Sequence, residues 1–242
     1  MVEIAGLTKN DSVLEIGAGF GFLTQELVKI AKQVVAVEIE ESLISTLRKI
    51  ESVNRNLKII QGDILKLRIE DLGLLVGKYK IIANLPYSIT SVFLRYFLTT
   101  QILPRSMTLL LQKEVAQRIC AEPGEMSLLS ISVQLYGRPK IIGYVFKDSF
   151  WPKPTVDSAI IQIDQIVKFP FTKIVSEKKF WQTVKSGFCS KRKQLKNNLA
   201  NSFHLPTSNI SQILEKSGIG LSARAQELSI ENWADVARQL TL

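Results

Sequence analysis

The sequence predicts an α/β protein: an open, doubly wound sheet with an antiparallel edge hairpin, followed by a small C-terminal helical domain. Three observations carry this expectation. Apolar runs of strand length alternate with segments of helical periodicity through residue 112. Two later β-like stretches follow each other with no room for a crossover helix, so they should pair antiparallel at an edge. After about residue 166 strand-like runs stop altogether.

Taken in order, the runs suited to buried parallel strands are SVLEIG (12–17), QVVAVE (33–38), LKIIQGD (57–63), YKIIANL (79–85) and MTLLLQ (107–112). Helical periodicity fills the gaps at 22–31, 41–53 and 91–97. The two stretches read as a hairpin are KIIGYVF (140–146) and SAIIQI (158–163), separated by a Pro-rich loop. Beyond them, SEKKFWQTVKSGFCSKRKQLKNNLANSF through ENWADVARQL reads as short helices broken at Pro206 and at the Gly218–Gly220 turn. The expected division is therefore residues 1–166 and 167–242.

Composition narrows the function classes. Hydrophobic residues make up 46% of 242 positions, which calls for a buried core and argues against disorder. No apolar stretch approaches the ~20 residues of a membrane span, and Met1 is followed by Val2 and Glu3, not by a basic and then apolar leader. A cytoplasmic, unexported protein is expected, with an organellar matrix or stroma as the other compartment compatible with reduced thiols. Two distant cysteines, Cys120 and Cys189, and a lone His204 form no disulfide framework or metal-ligand spacing. The 31 Lys and Arg against 22 Asp and Glu leave a net charge of +9, which favours polyanionic partners.

The first loop, LEIGAGFGFLT, sets Glu15, Gly17, Gly19 and Gly21 where the first strand passes into the first helix. In an open parallel sheet, ligands bind beyond the carboxyl ends of the strands. A dinucleotide fingerprint would require glycine at position 22, which is Phe. The E-x-G-x-G-x-G spacing instead resembles the first motif of S-adenosylmethionine (SAM) methyltransferases. Glu38 ends the second strand about twenty residues on, where a carboxylate can accept ribose hydroxyls. Asp63 closes the third, placed to accept from the adenine amine of SAM. Glu15, Gly17, Gly19, Glu38, Asp63 and Asn84 are the expected cofactor-binding residues.

At the fourth strand end, Asn84-Leu85-Pro86-Tyr87 is similar to the [N/D]-P-P-[Y/F]-type motif of amino methyltransferases, with Leu85 at the first proline position. An exocyclic amine on adenine is a poor nucleophile, because its lone pair is delocalised into the ring. The Asn84 side-chain oxygen and the Leu85 carbonyl can accept its two N–H bonds and aim the lone pair at the methyl carbon. Pro86 fixes the local backbone and Tyr87 offers a face for base stacking. A base within folded RNA must leave its stack to reach such a pocket. Phe150, in SFWPKPTVDSAI, is the residue expected to cover its other face.

These motifs together resemble the KsgA-type ribosomal RNA adenine dimethyltransferases. The likeness rests on VLEIGAGFGFLT, VEIEE, GDIL, ANLPYSIT, LQKEVAQRI, SLLSISVQ, FWPKPTVDSAI and FCSKRKQLKNNL, in that order and over nearly the whole chain. The resemblance implies a SAM-dependent enzyme that dimethylates the exocyclic amines of two adjacent adenines in the 3′-terminal hairpin loop of small-subunit rRNA. The implied partner is the assembling small ribosomal subunit, and a monomer is expected.

The final domain supports an RNA partner independently. Lys185, Lys191, Arg192, Lys193 and Lys196 fall in a stretch without acidic residues. On a continuous helix 185, 192 and 196 would share one face, with 193 close by. In LQKEVAQR, Lys113 and Arg118 are further candidates for RNA contact, the alternative being a structural pairing of Glu114 with one of them. Members of the family usually begin with an extra segment carrying Gly-Gln-x-Phe-Leu. Because this sequence begins at MVEIAGLTKND, directly before the first strand, its SAM binding is expected to be weaker than that of an extended chain.

Two other functions share these features. An Erm-type enzyme dimethylates one large-subunit adenine with the same pocket chemistry, although FCSKRKQLKNNL and RAQELSIENWADV look more like the small-subunit family. A methyltransferase fold kept for RNA binding and ribosome assembly would retain the basic surface without turnover. Retention of Glu38, Asp63, Asn84 and Tyr87 argues against the latter, and the missing Gly-Gln-x-Phe-Leu segment argues for it.

Overall fold

In a computed structural model, residues 1–240 are described, apart from the side chain of Tyr87. The chain divides into two compact units. The first comprises residues 1–117 and 137–168; the second comprises 118–136 and the chain from Phe169 on.

The first unit is built on a seven-stranded sheet in the order β3-β2-β1-β4-β5-β7-β6. Its strands are β1 (Ser12–Ile16), β2 (Gln33–Glu38), β3 (Leu57–Gln61), β4 (Tyr79–Asn84), β5 (Ser106–Gln112), β6 (Arg138–Val145) and β7 (Ser158–Asp164). The first five run parallel. β7 runs antiparallel to both β5 and β6, so the expected hairpin is present and β6 is the outermost strand.

The central strands are apolar on both faces because helices cover both. On one side Val13, Val34, Ala36, Ile59 and Ile82 pack with Leu27 of α1 (Phe22–Val28) and Leu47 of α2 (Glu41–Val53). Leu14 and Ile81 are likewise fully buried, as are Phe93 and Phe97 of α3 (Thr90–Thr99), whose ring centroids lie 4.7 Å apart. At the amino end of the sheet, the ammonium of Lys80 donates to the Ala5 and Gly6 carbonyls and lies 3.1 Å from Asp11 Oδ2. A buried cation with its donors used in this way ties the first turn of the chain to β4.

The second unit contains α5 (Leu128–Gln134), α6 (Glu177–Gly187), α7 (Leu195–Phe203), α8 (Thr207–Lys216) and α9 (Ile230–Gln239). α4 (Lys113–Ile119) follows β5 and leads into it. The contiguous boundary at 166 does not show this excursion: residues 118–136 lie within the expected sheet domain by sequence, yet they pack with the late helices. Gly124 and Met126 donate their N–H groups to the Gln226 carbonyl, and the Tyr136 hydroxyl donates to Glu177. α8 begins after Pro206 and ends before Gly218, as the sequence breaks predict.

Lys185 and Lys196 are helical, but Lys191, Arg192 and Lys193 lie in the connection between α6 and α7, so the five cations share no single helical face. α6 ends at Gly187, a position that must be glycine because a Cβ there would stand 2.2 Å from Cη2 of the buried Trp233. The Asn198 amide then donates to the carbonyls of Gly187 (2.7 Å) and Ser190 (2.9 Å), fastening the turn.

Candidate active site

The strand order reverses between β1 and β4, and in open α/β sheets that switch point opens a crevice at the carboxyl ends. Both principal motifs end there. Gly17, Gly19 and Gly21 follow β1 with positive φ of 70°, 57° and 82°, a region that disfavours side chains. Gly21 is required for packing too, since a Cβ would lie 2.3 Å from Ile50 Cδ1 and 3.1 Å from Leu47 Cδ2. The loop is thereby pressed onto α2.

Glu38, at the end of β2, organises the loop. Its Oε2 accepts the Gly19 N–H at 2.8 Å, and its Oε1 accepts those of Ile39 and Glu40 at 2.8 and 2.9 Å. A carboxylate offers about four acceptor sites, so about one remains for a ribose hydroxyl. Asp63, two residues beyond β3, accepts the Leu65 N–H on Oδ1 (3.0 Å), and its Oδ2 lies 3.7 Å from the exposed Lys66 ammonium. Asn84 is the last residue of β4, opposite Leu110 of β5, and its side chain is exposed. Leu85 is buried, Pro86 is exposed, and residues 87–89 form one 3₁₀ turn leading into α3. The expected stacking surface of Tyr87 lies outside the described residues.

A cavity of about 420 Å³ joins these groups, a volume within the range of small-ligand sites. Gly17, Glu38, Asp63, Asn84 and Pro86 all line it. So do Ile39 and Ile64, which the sequence reading passed over. Each directly follows an acidic strand end, and an apolar residue in that position is the signal that would have found them. A second cavity, about 510 Å³, opens at the opposite rim against Lys80, Arg105 and Asp164. It is remote from the glycine loop, and the Lys80 ammonium there is already bound by three oxygens.

Glu15 does not line the cavity; it is buried beneath the loop at 1% exposure. Its Oε2 accepts the Thr24 hydroxyl at 2.7 Å, while Oε1 has no partner. Burial raises its pKa from 4.5 to about 7; the Thr24 hydroxyl opposes the rise and the nearby Glu38 carboxylate adds to it. A buried carboxyl with an orphaned oxygen is suited to a cationic ligand overhead, and SAM carries positive charge on both its ammonium and its sulfonium. The donor set therefore fits SAM.

The remaining expected residues fall outside this cavity. Phe150 is half-buried in the β6–β7 loop, at the carboxyl rim of the sheet but not among the lining residues. Lys113 opens α4, its ammonium 5.6 Å from the centroid of the Tyr144 ring. Arg118 is exposed near the end of α4, and no described ion pair involves Glu114. Lys185, Lys191, Arg192 and Lys193 are exposed, and Lys196 is half-buried.

A Rossmann-like sheet with a glycine loop, two acidic strand ends and an Asn-Leu-Pro-Tyr turn around one cavity defines a SAM-dependent methyltransferase. Comparison with known proteins narrows the class. All 242 residues match the family model described as ribosomal RNA adenine dimethylase, and the chain belongs to that family. It is 41% identical over 233 residues to the ribosomal RNA small subunit methyltransferase A of Dehalococcoides mccartyi, across 96% of this chain and 80% of the relative. It is 37% identical over 239 residues to the protein of the same name from Clostridium botulinum, across 98% and 86%. Among solved structures it resembles a dimethyladenosine transferase from Plasmodium falciparum, with TM-score 0.81 and 25% identity across 97% of this chain and 91% of that one. The 23S rRNA methyltransferase ErmE superposes with TM-score 0.77 at 24% identity, across 99% and 95%, a likeness of fold.

Proposed function

We propose that this enzyme transfers methyl groups from SAM to the exocyclic amines of two adjacent adenines in the 3′-terminal hairpin loop of small-subunit rRNA. The observation that carries the reading is the convergence of Gly17, Glu38, Asp63, Asn84 and Pro86 on one cavity at the switch point. The naming of its relatives as small-subunit methyltransferases supports the substrate.

SAM, when bound, supplies a methyl carbon made electrophilic by the attached sulfonium. The roles of the chain's own groups follow from their positions. Glu38 fixes the glycine loop and offers its remaining acceptor site to the ribose. Asp63 accepts from the adenine amine of the donor, whose ring lies against Ile39 and Ile64. The Asn84 side-chain oxygen and the Leu85 carbonyl receive the two N–H bonds of the target amine, which stops its nitrogen from turning away and directs the lone pair inward. No strong base is needed in the motif. The amine becomes far more acidic as its bond to carbon forms, and the exposed mouth at Asn84 gives the departing proton access to water.

Tyr87 is assigned to one face of the flipped base, and Phe150 to the other. Lys185, Lys191, Arg192, Lys193 and Lys196, with Lys113 and Arg118, are assigned to the phosphate backbone. We further place the reaction in the cytoplasm, on an assembling small subunit, with the enzyme acting as a monomer. Among the described residues no helix is long and apolar enough to cross a membrane.

The test is methylation with radiolabelled SAM, followed by nucleoside analysis. Assembly-stage small subunits lacking the modification should yield N6,N6-dimethyladenosine from the 3′-terminal hairpin. Label confined to large-subunit RNA would assign the Erm-type activity instead. RNA binding without label on either would assign an assembly factor.

A further inference from the structure

The outermost strand carries a surface that the fold does not require. From Arg138 to Phe146 every second residue is exposed, and the last three of these are Ile142, Tyr144 and Phe146, at 38%, 51% and 68%. Trp151, in the loop that follows, is 97% exposed. Single exposed apolar residues are ordinary, but a run of aromatics along one strand marks an interaction surface. Lys147 follows directly, and no acidic residue falls between 138 and 147; Arg138 and Lys140 precede the register shift between Ile141 and Gly143 and so lie on the opposite face from Tyr144. The next acid, Asp148, is ion-paired with Lys153. Lys113 adds a cation beside the Tyr144 ring, 5.6 Å from its centroid.

We propose that this edge is a landing strip for unpaired RNA flanking the target adenine, with Tyr144 and Phe146 as stacking platforms and Lys113 and Lys147 as phosphate contacts. The proposal rests on the reading of the chain as an RNA adenine methyltransferase and extends its binding surface beyond the cavity and the C-terminal cations.

Sheet geometry places the strip within reach of the catalytic mouth. Val145 pairs with Ser158, which pairs with Gln112, two residues beyond the Leu110 that pairs with Asn84. The aromatic end of β6 therefore shares the carboxyl rim with Asn84, three strand positions away. At about 4.8 Å per spacing that is about 14 Å, a span of a few splayed nucleotides. Alternate residues stand about 7 Å apart along a strand, which leaves room for a base against each ring.

Aromatic faces flanked by cations suit single-stranded RNA, which is held by stacking and by backbone charge. A protein partner is the weaker match, because interface cores are depleted in Lys. Strand addition is further disfavoured by the register shift between Ile141 and Gly143, which interrupts the edge ladder.

The experiment uses the full chain and a short fluorescein-labelled single-stranded RNA, followed by anisotropy. Tyr144→Ser/Phe146→Ser should weaken binding at least about tenfold, while Tyr144→Phe/Phe146→Tyr, which keeps both rings, should bind like wild type. SAM affinity and the far-ultraviolet circular dichroism of the Ser variant should match wild type. Unchanged RNA affinity in the Ser variant would overturn the proposal, as would loss of a co-purifying protein with RNA binding intact. The two readings fail separately. If the wild type methylates rRNA and the Ser variant has the same KM, only the strip falls; if the wild type methylates no RNA, the functional reading falls whatever the variant binds.

Discussion

Replacing Glu15 with Gln isolates the electrostatics under the glycine loop. The carboxyl has a folded-state pKa of about 7 against an ordinary value of 4.5. At about 1.4 kcal/mol per pH unit, its ionised form is disfavoured in the fold by about 3 kcal/mol. The unfolded chain loses this proton near pH 4.5 and the folded chain near 7, so between those values the folded state holds more protons. Stability conferred by this group is thus greatest at low pH and declines as pH rises through the window. Glu15→Gln keeps the shape and the contact with Thr24 but cannot ionise. Without ligand, urea denaturation should show the variant close to wild type at pH 5 and more stable by up to about 3 kcal/mol at pH 8.5, the widening gap falling between 4.5 and 7. SAM should reverse the advantage, because its positive charge favours the ionised wild-type carboxylate. Wild type should bind SAM more tightly than the variant and release protons on binding near pH 7, detectable by calorimetry in two buffers. A gap in stability that does not change with pH would refute the assignment of Glu15 as the buried, proton-linked group.

Further outcomes follow from other positions. Asn84→Ala should lower the methyl-transfer rate by at least about a hundredfold, with SAM and RNA affinities within a few-fold of wild type, as separate titrations will show. Gly187→Ala should cost about 1–3 kcal/mol in denaturant stability, because its Cβ would stand 2.2 Å from the ring of a tryptophan with no room to move. Neutralising Lys191, Arg192 and Lys193 together should flatten the slope of log K against log salt for RNA binding by about 2, up to about 0.7–0.9 being carried by each lost phosphate contact. Gly21→Ala should weaken SAM binding more than it weakens folding, since Ile50 Cδ1, only 2.3 Å from the new Cβ, can swing aside while the loop at φ +82° cannot relax.

The sheet was legible because its strands are buried on both faces and read as unbroken apolar runs; QVVAVE was bounded to the residue. The acidic and amide strand ends were legible for the same reason, since each terminates such a run. What escaped were features set by tertiary packing. Lys191, Arg192 and Lys193 carry no local signal against a helix; the connection is held by the Asn198 amide, which donates to the carbonyls of Gly187 and Ser190 from α7. Residues 118–136 look like part of the sheet domain in sequence, and only contacts such as Gly124 with Gln226 place them with the late helices. Glu15 was read as facing the ligand, yet the pleat turns it inward towards Thr24. Ile39 and Ile64 were not singled out, although both line the cavity and Ile39 is 66% exposed there.

The central claim is that donor and target base meet at the rim between β1 and β4. A crystal structure with S-adenosylhomocysteine tests it most directly. The account requires the adenine ring between Ile39 and Ile64, a ribose hydroxyl on Glu38, and the sulfur directed at Asn84. A ligand bound instead in the cavity beside Lys80 and Arg105, or with its sulfur turned away from Asn84, would contradict it.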